Sequence, residues 1–142
     1  MMHQSYTPSL ASIVKLIEAA NTIEGQVALL QKNSSSALKA IVGFGLNPNV
    51  QWLVPEGTPP YKVSEELDNE GRFYNETKKF IHFIARQGAT LTKMKREKLF
   101  IDILETVHPD DAKLLVRIKD RQLTIRREAV KLAFPTLTKD WD

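Results

Sequence analysis

The chain has 142 residues, of which 42% are hydrophobic and 26% are charged, so we expect one globular domain built on one core. It contains no cysteine, which excludes disulfides, zinc knuckles, iron–sulfur sites and thiol nucleophiles. Its apolar runs are shorter than the roughly 20 residues of a spanning helix, and no secretion signal opens the sequence, so we expect a cytoplasmic protein without a membrane partner. A net charge of +3 permits a nucleic-acid partner without requiring one.

Three short helices are predicted in the first third of the chain. The pair Thr7-Pro8 is typical of a helix start. Asn21, with Glu24 three residues later, forms a variant of the capping box that opens a second helix. A third helix begins in the serine run 34–36 and ends at Asn47-Pro48. The inward stripes follow the spacing of one helical face: Leu10, Ile13, Val14 and Ile17; Val27 and Leu30; Leu38, Ile41 and Val42.

Residues 47–71 lack helical periodicity and are interrupted by four prolines. We interpret them as one long irregular connection, of which residues 61–70 are acidic. A connection of this length is uncommon inside a compact domain. It is therefore expected either to wrap the core through Trp52, Leu53 and Tyr61 or to have a function of its own.

The second half of the chain predicts four more helices. A stripe from Phe73 to Ile84 runs to a stop at Gln87-Gly88, and the next helix follows Thr92. His108-Pro109 is a strong helix start, because proline suits the first helical position and two acids follow it. Thr124 is expected to cap the last helix. The inward face of that helix is expected to be Ile125, Ala129, Leu132 and Ala133. The predicted fold class is all-α, with residues 1–142 forming a single compact domain of about six to seven short helices.

The core is expected to form from the inward stripes of these helices. Its predicted members are Val27, Leu30, Leu38, Ile41, Phe80, Ile84, Leu99, Ile103, Leu115, Ala129 and Ala133. Replacing one large member, Ile103, by alanine should lower the free energy of unfolding by about 2 to 5 kcal/mol.

A search for catalytic motifs finds none. The sequence has no phosphate-binding loop of the G-x-x-x-x-G-K-[ST] type and no G-x-S-x-G nucleophile elbow. Gly43-Phe44-Gly45 lies in a helical pattern without the third glycine of a dinucleotide fold, so helix packing is its expected use. His82 is interpreted as a half-buried structural histidine, and Asp110-Asp111 beside His108 as capping acids rather than metal ligands. We therefore expect no enzyme activity, no cofactor and no metal.

Basic residues concentrate in residues 93–131, where eleven lysines and arginines stand against seven acids. The surplus of +4 there exceeds the +3 of the whole chain. Two pairs with i, i+4 spacing flank the turn 122–124: Arg117 with Arg121, and Arg127 with Lys131. Guanidinium groups, together with backbone N–H groups at the start of the last helix, are suited to hold phosphates there. A merely solvated charged face stays open as the alternative.

Several segments, in this order, carry a resemblance to a known family: residues 27–33 with Leu38-Lys39, Leu46-Asn47-Pro48, residues 110–115, residues 119–123 and Ala133-Phe134-Pro135. They resemble the N-terminal helical DNA-binding domain of the ATP-dependent DNA ligases of T4-like bacteriophages, and stand-alone uncharacterised proteins of the same phages. The parallel runs from about Ala19 to Leu137, over most of the chain.

The resemblance implies a domain that grips the duplex backbone across the minor groove while other domains do the chemistry. The residues that would contact phosphates by position are Thr124, Arg126 and Arg127, helped by Arg121 and Lys119. The ligase domain usually has one glycine between the leucine of this turn and the last helix, and another after the final proline. The first glycine is absent here and Thr136 takes the second place. The adenylating motif K-x-D-G is also missing, so no ligase activity is expected.

Two functions from different classes fit these observations. The first is a non-enzymatic phage DNA-binding accessory protein, located in the cytoplasm of the infected bacterium, that holds duplex backbone with little base preference. Its expected contacts are Arg117, Lys119, Arg121, Thr124, Arg126, Arg127 and Lys131. The second is a protein-interaction module of the same fold that docks on a host or phage protein of the replication, transcription or virion machinery. The basic surplus and the resemblance favour the first, whereas the missing glycine, the modest net charge and the acidic segment 61–70 favour the second.

Overall fold

Seven α-helices lie within the part of the chain that the structure, a computed structural model, describes: residues 8–66, 69, 71–85 and 91–141. They are α1 (Leu10–Ala19), α2 (Ile23–Lys32), α3 (Ser36–Leu46), α4 (Arg72–Glu76), α5 (Lys93–Thr106), α6 (Pro109–Lys119) and α7 (Arg127–Ala133). A 3₁₀ helix, Thr77–Phe83, continues directly from α4. The predicted all-α class is confirmed, as is the irregular connection between α3 and α4.

Hydroxyl side chains cap the starts of four helices. Ser9, Thr22, Ser35 and Thr92 each accept the backbone N–H of the residue three positions on. The predicted cap of α2 at Asn21 is therefore wrong by one residue, because the Thr22 hydroxyl accepts the Gly25 N–H at 3.0 Å. Helix α6 begins at Pro109 as predicted, and His108 caps it, with its Nδ1 accepting the Asp110 N–H at 3.1 Å. The predicted first cap, Thr7, lies outside the described residues, and the predicted helix start at Pro8 is two residues too early, because α1 begins at Leu10 after the Ser9 cap.

The core forms where the stripes of the helices meet. Nine of the eleven predicted core residues are buried, and Val27 and Leu99 are half-buried against the same core. Helix α2 packs on both α1 and α7, whereas α3 packs on the 3₁₀ helix and on α6. The prediction for Leu132 is wrong: it is 64% exposed, because α7 turns Val130 rather than Leu132 toward the core.

The connection between α3 and α4 wraps the core through Trp52. The Trp52 ring lies 5.7 Å from the ring of Phe80 and 6.3 Å from that of Phe83, and its Nε1 donates to the Phe44 carbonyl at 2.9 Å. Trp52 and Ile84 also form an antiparallel bridge. Ile84 is thus extended, so the helix predicted to reach Gln87-Gly88 ends earlier, and those two residues lie outside the described part.

Within the described residues, no helix has both the length and the hydropathy to cross a membrane. Helix α5, the longest of them, has 14 residues and opens with charged side chains. The buried acid Asp111 ties two helices together, since its Oδ1 accepts the Ala11 N–H in the first turn of α1 at 2.9 Å. The predicted capping acid therefore also serves a second helix, and α6 is fixed relative to α1.

Candidate nucleic-acid interface

The turn that follows α6 determines where the predicted phosphate-binding residues lie relative to α3. The Arg121 N–H donates to the Ile118 carbonyl at 3.2 Å and the Gln122 N–H to the Arg117 carbonyl at 2.8 Å. These two bonds form a Schellman motif, which needs a left-handed residue at its centre. Arg121 takes that position with a φ of 61°, where glycine is the usual residue. The chain accordingly leaves α6 abruptly and turns toward the end of α3.

Gly45 allows this turn to pack closely on α3. A Cβ atom at Gly45 would lie 2.8 Å from Leu123 Cδ1 and 3.3 Å from Ile118 Cγ2. Leu123 and Gly45 are both buried. The packing use that was expected of the Gly43-Phe44-Gly45 run therefore holds for Gly45, which brings the turn 120–126 against the C-terminal end of α3.

Two arginines cap that end of α3. The Arg121 guanidinium donates to the carbonyls of Phe44 at 3.0 Å and Asn47 at 2.6 Å, and Arg127 Nε donates to the Leu46 carbonyl at 2.8 Å. Positive groups at a helix C-terminus satisfy its last carbonyls and match its dipole. Burial, followed by repulsion from Arg127, lowers the pKa of Arg121 below its ordinary value. These two guanidinium groups thus have a structural role in addition to any contact with a ligand.

Lys119 points into the protein. Its side chain is fully buried, and its ammonium donates to the carbonyls of Pro55 at 2.9 Å and Gly57 at 2.8 Å and to the carboxylate of Asp120. All three ammonium protons are therefore engaged, since an ammonium has three to donate. This geometry removes Lys119 from the predicted phosphate contacts and makes it the residue that fastens the proline-rich connection to α6.

Arg117 is held by an acid that the sequence did not point to. Its guanidinium forms a fork on the Glu18 carboxylate, with distances of 3.1 and 2.6 Å, and the backbone N–H and hydroxyl of Thr124 donate to Glu18 Oε2 at 2.8 and 3.0 Å. Burial alone would raise the pKa of Glu18. The hydrogen bonds from Arg117 and Thr124 outweigh that effect and hold the pKa below its usual value. Glu18 thus joins α1, α6 and the turn before α7.

The predicted capping role of Thr124 is wrong. Helix α7 begins at Arg127, with Arg126 as its N-cap residue and no side-chain cap. The Thr124 N–H is bonded to Glu18 and the Arg126 N–H is bonded to Gln26 Oε1 at 3.1 Å. The backbone N–H groups that were expected to hold phosphate before the last helix are therefore already engaged at these two positions.

One open groove exposes the arginine side chains that remain available to a ligand, together with Thr124, whose hydroxyl donates to Glu18. It runs between the end of α3 and the residues 121–128, and Thr124, Arg126 and Arg127 line it from exposed positions. Arg121 also lines it, and the one acid in the lining is Glu128. Arg126 makes a long contact of 3.4 Å to the Asn21 carbonyl. Lys131 is half-buried in the last turn of α7 and does not line this groove.

Two residues with a role at this site escaped the sequence analysis. Gln26, 1% exposed, donates from Nε2 to the Ile17 carbonyl at 3.3 Å while its Oε1 accepts the Arg126 N–H. Its position within the apolar stripe of α2 was a usable signal, because a polar residue at a core position needs partners. Glu18 gave no such signal, since it follows Ile17 on a helix whose exposed face is expected to carry charges.

The histidines and acids form no further site in the described part of the chain. His82 is exposed, so the prediction of a half-buried structural histidine is wrong. No group of three or more histidines and acids within the described ranges could hold a metal ion.

Comparison with known proteins gives one relationship. No curated protein and no solved structure matches the chain. A family model described as a family of unknown function, DUF6433, matches residues 13–125, from the middle of α1 through the turn that precedes α7. Since these residues are most of the chain, it belongs to the family of unknown function DUF6433.

Proposed function

We propose that this chain is a non-enzymatic DNA-binding protein that holds the phosphates of duplex DNA in the groove lined by Thr124, Arg126 and Arg127. The resemblance to the DNA-binding domain of phage ligases supports a contact with the backbone rather than with bases, and a source in T4-like bacteriophages, with action in the cytoplasm of the infected cell. The proposal replaces the broader set of seven predicted contacts with the few whose side chains face solvent.

One observation carries this proposal: like charges are held together along the groove. Arg121 and Arg127 cap the same end of α3, and Arg126 lines the groove beside them. Burial, followed by repulsion from Arg127, lowers the pKa of Arg121. Glu128 is the one acid of the groove lining. Such a cluster repels itself in the unbound protein, and a bound anion relieves the repulsion.

The chemistry of these side chains suits phosphate oxygens. An arginine presents up to five N–H donors in a fixed plane, and Arg127 uses its Nε on Leu46, which leaves its two terminal nitrogens for a ligand. Arg126 has one long contact of 3.4 Å, so little is lost when its guanidinium turns to a phosphate. Contacts of this kind fix position on DNA without reading its sequence.

Fluorescence anisotropy tests the proposal with labelled intact, nicked and single-stranded DNA at several salt concentrations. The parent should bind intact duplex, and its affinity should fall steeply as salt rises. The double variant Arg126→Ala with Arg127→Ala should lower the slope of log affinity against log salt by about 2, because each lost phosphate contact removes about 1.

A matched control removes two charges elsewhere. Lys93 and Lys95 are exposed in the first turn of α5, so the double variant Lys93→Ala with Lys95→Ala loses the same charge away from the groove. It should keep the slope of the parent. The proposal fails if the parent binds no duplex at low salt, or if the folded arginine variant binds as the parent does.

The competing function is a protein-interaction module, and one observation favours it. Val63 is 51% exposed and is followed by the exposed acids Glu65 and Glu66 on the connection. If the parent binds no DNA, this part of the connection is the first surface on which to look for a protein partner.

A further inference from the structure

We propose that Arg117 and Thr124 form a phosphate subsite beside the groove, and that Glu18 occupies this subsite in the structure as an internal competitor of phosphate. We call the two donor residues the Arg117–Thr124 cradle. The inference rests on the proposed function, because it adds one further subsite for a backbone phosphate next to Arg126 and Arg127.

The donors of the cradle are those that proteins use for phosphate. A guanidinium fork, one backbone N–H and one hydroxyl converge on the Glu18 carboxylate, with four distances between 2.6 and 3.1 Å. Carboxylate and phosphate oxygens accept from the same planar fork and the same backbone groups. The cradle is therefore complete before any ligand arrives, and its present occupant is a side chain.

The cradle is reachable from solvent. The Arg117 side chain is 36% exposed and Thr124 is exposed, whereas the Glu18 side chain that lies on them is 12% exposed. Thr124 also lines the groove that contains Arg126 and Arg127. A DNA backbone that follows the groove would thus bring a phosphate to Thr124. The Glu18 carboxylate repels that phosphate and occupies the donors that would bind it.

This arrangement predicts that Glu18 lowers the affinity of the protein for phosphate. Glu18→Gln removes the charge and so weakens the hold of residue 18 on the Arg117 fork and on Thr124, which allows a phosphate to displace its side chain. In this variant a phosphate can take the guanidinium fork of Arg117, so the affinity for duplex DNA should rise about tenfold at low salt, as expected for one additional charge-assisted contact. The slope of log affinity against log salt should become steeper by about 1.

Loss of a nearby negative charge raises DNA affinity by itself, and the control accounts for this. Glu128 lines the same groove, and Glu128→Gln removes the same charge without opening the cradle. Its gain in affinity should be smaller, and adding Arg117→Met should abolish the gain of Glu18→Gln but not that of Glu128→Gln. Equal gains for the two glutamine variants, or a gain that survives the loss of Arg117, overturn the cradle.

A titration with inorganic phosphate tests the cradle without DNA. The Thr124 backbone amide, followed by NMR, should shift saturably in Glu18→Gln and only weakly in the parent and in Glu128→Gln. No shift in the folded Glu18→Gln variant overturns the proposal even if DNA binds elsewhere, whereas a shift without DNA binding supports the cradle and contradicts the proposed function. If Glu18→Gln does not fold, the same titration of the parent tests the cradle. A saturable shift of the Thr124 amide at high phosphate supports competition between phosphate and Glu18, and no shift contradicts it.

Discussion

The basic residues at the end of α6 and those at the start of α7 are close in sequence and opposite in use. Lys119 and Arg121 direct their charges into the protein, onto the carbonyls of the connection and of α3. Arg126 and Arg127 stay exposed along a groove, and Arg127 gives only its Nε–H to the end of α3. A surplus of basic residues in a segment therefore does not by itself indicate ligand binding. Buried carbonyls and carboxylates also need hydrogen-bond donors, so only the cations that are not used inside the protein are available to a phosphate.

Removing the most deeply buried of these cations should give the largest effect. Lys119→Ala leaves two carbonyls without their donor and the buried Asp120 carboxylate without its cation, so the free energy of unfolding should fall by about 3 to 5 kcal/mol. Chemical denaturation measures the loss. Lys113→Ala, at an exposed position of the same helix, should change it by less than about 0.5 kcal/mol. Similar small losses for both variants would mean that the buried contacts of Lys119 do not form.

The left-handed conformation of Arg121 allows its side chain and its backbone to be separated. Arg121→Ala loses both bonds to the end of α3 and keeps the strained backbone, whereas Arg121→Gly loses the same bonds and relieves the strain. Both should be less stable than the parent by about 1 to 3 kcal/mol. The glycine variant should be the more stable of the two by about 1 kcal/mol, as thermal or urea unfolding would show. An alanine variant as stable as the glycine variant would contradict the turn geometry.

The hydrogen bonds of Glu18 with Arg117 and Thr124 should make the free energy of unfolding depend on pH. Its folded pKa lies below the ordinary carboxyl value of 4.5, so its stabilising effect is fully present above that pH and is lost as the pH falls through the lowered pKa. Urea unfolding at a series of pH values should therefore show the advantage of the parent over Glu18→Gln shrinking below pH 4.5. Glu65→Gln, at an exposed position of the connection, serves as the control and should show no such trend. If the difference in free energy of unfolding between the parent and Glu18→Gln stays constant with pH, the hydrogen bonds of Glu18 to Arg117 and Thr124 are contradicted.

The outward-facing arginine should matter least for stability. Arg126 is exposed and has one long side-chain contact, so Arg126→Ala should change the free energy of unfolding by less than about 0.5 kcal/mol. Its effect should appear instead in the salt dependence of DNA binding, as a slope lower by about 1. A large loss of stability would mean that Arg126, like Lys119 and Arg121, makes contacts that support the fold.

Local signals in the sequence were sufficient for much of the fold. Proline and hydroxyl caps predicted the starts of α3, α5 and α6, and the stripe residues Leu30, Leu38 and Ile103 are buried as expected. These features depend on residues within one or two turns of each other, which is why a sequence pattern can reveal them.

Contacts between distant segments were not predictable in the same way. The hydrogen bond between Arg117 and Glu18 joins residues 99 positions apart, and the one between Lys119 and Pro55 joins residues 64 positions apart. Whether an arginine faces solvent or a helix end depends on packing such as that of Leu123 on Gly45, and no spacing rule carries that information. The sequence therefore indicated only the region of the candidate site, while the contacts of each cation had to come from the structure.

The central proposal is that Arg126 and Arg127 bind phosphate through their exposed guanidinium groups, whereas Arg121 caps the end of α3 and does not. The most direct test is to follow the Nε–Hε resonances of arginine side chains by NMR while the parent is titrated with duplex DNA at low salt. Arg126 and Arg127 should shift and saturate together, and Arg121 should stay close to its starting position. Shifts of Arg121 equal to theirs, or no shift of Arg126 and Arg127 while the DNA is bound, would contradict the account.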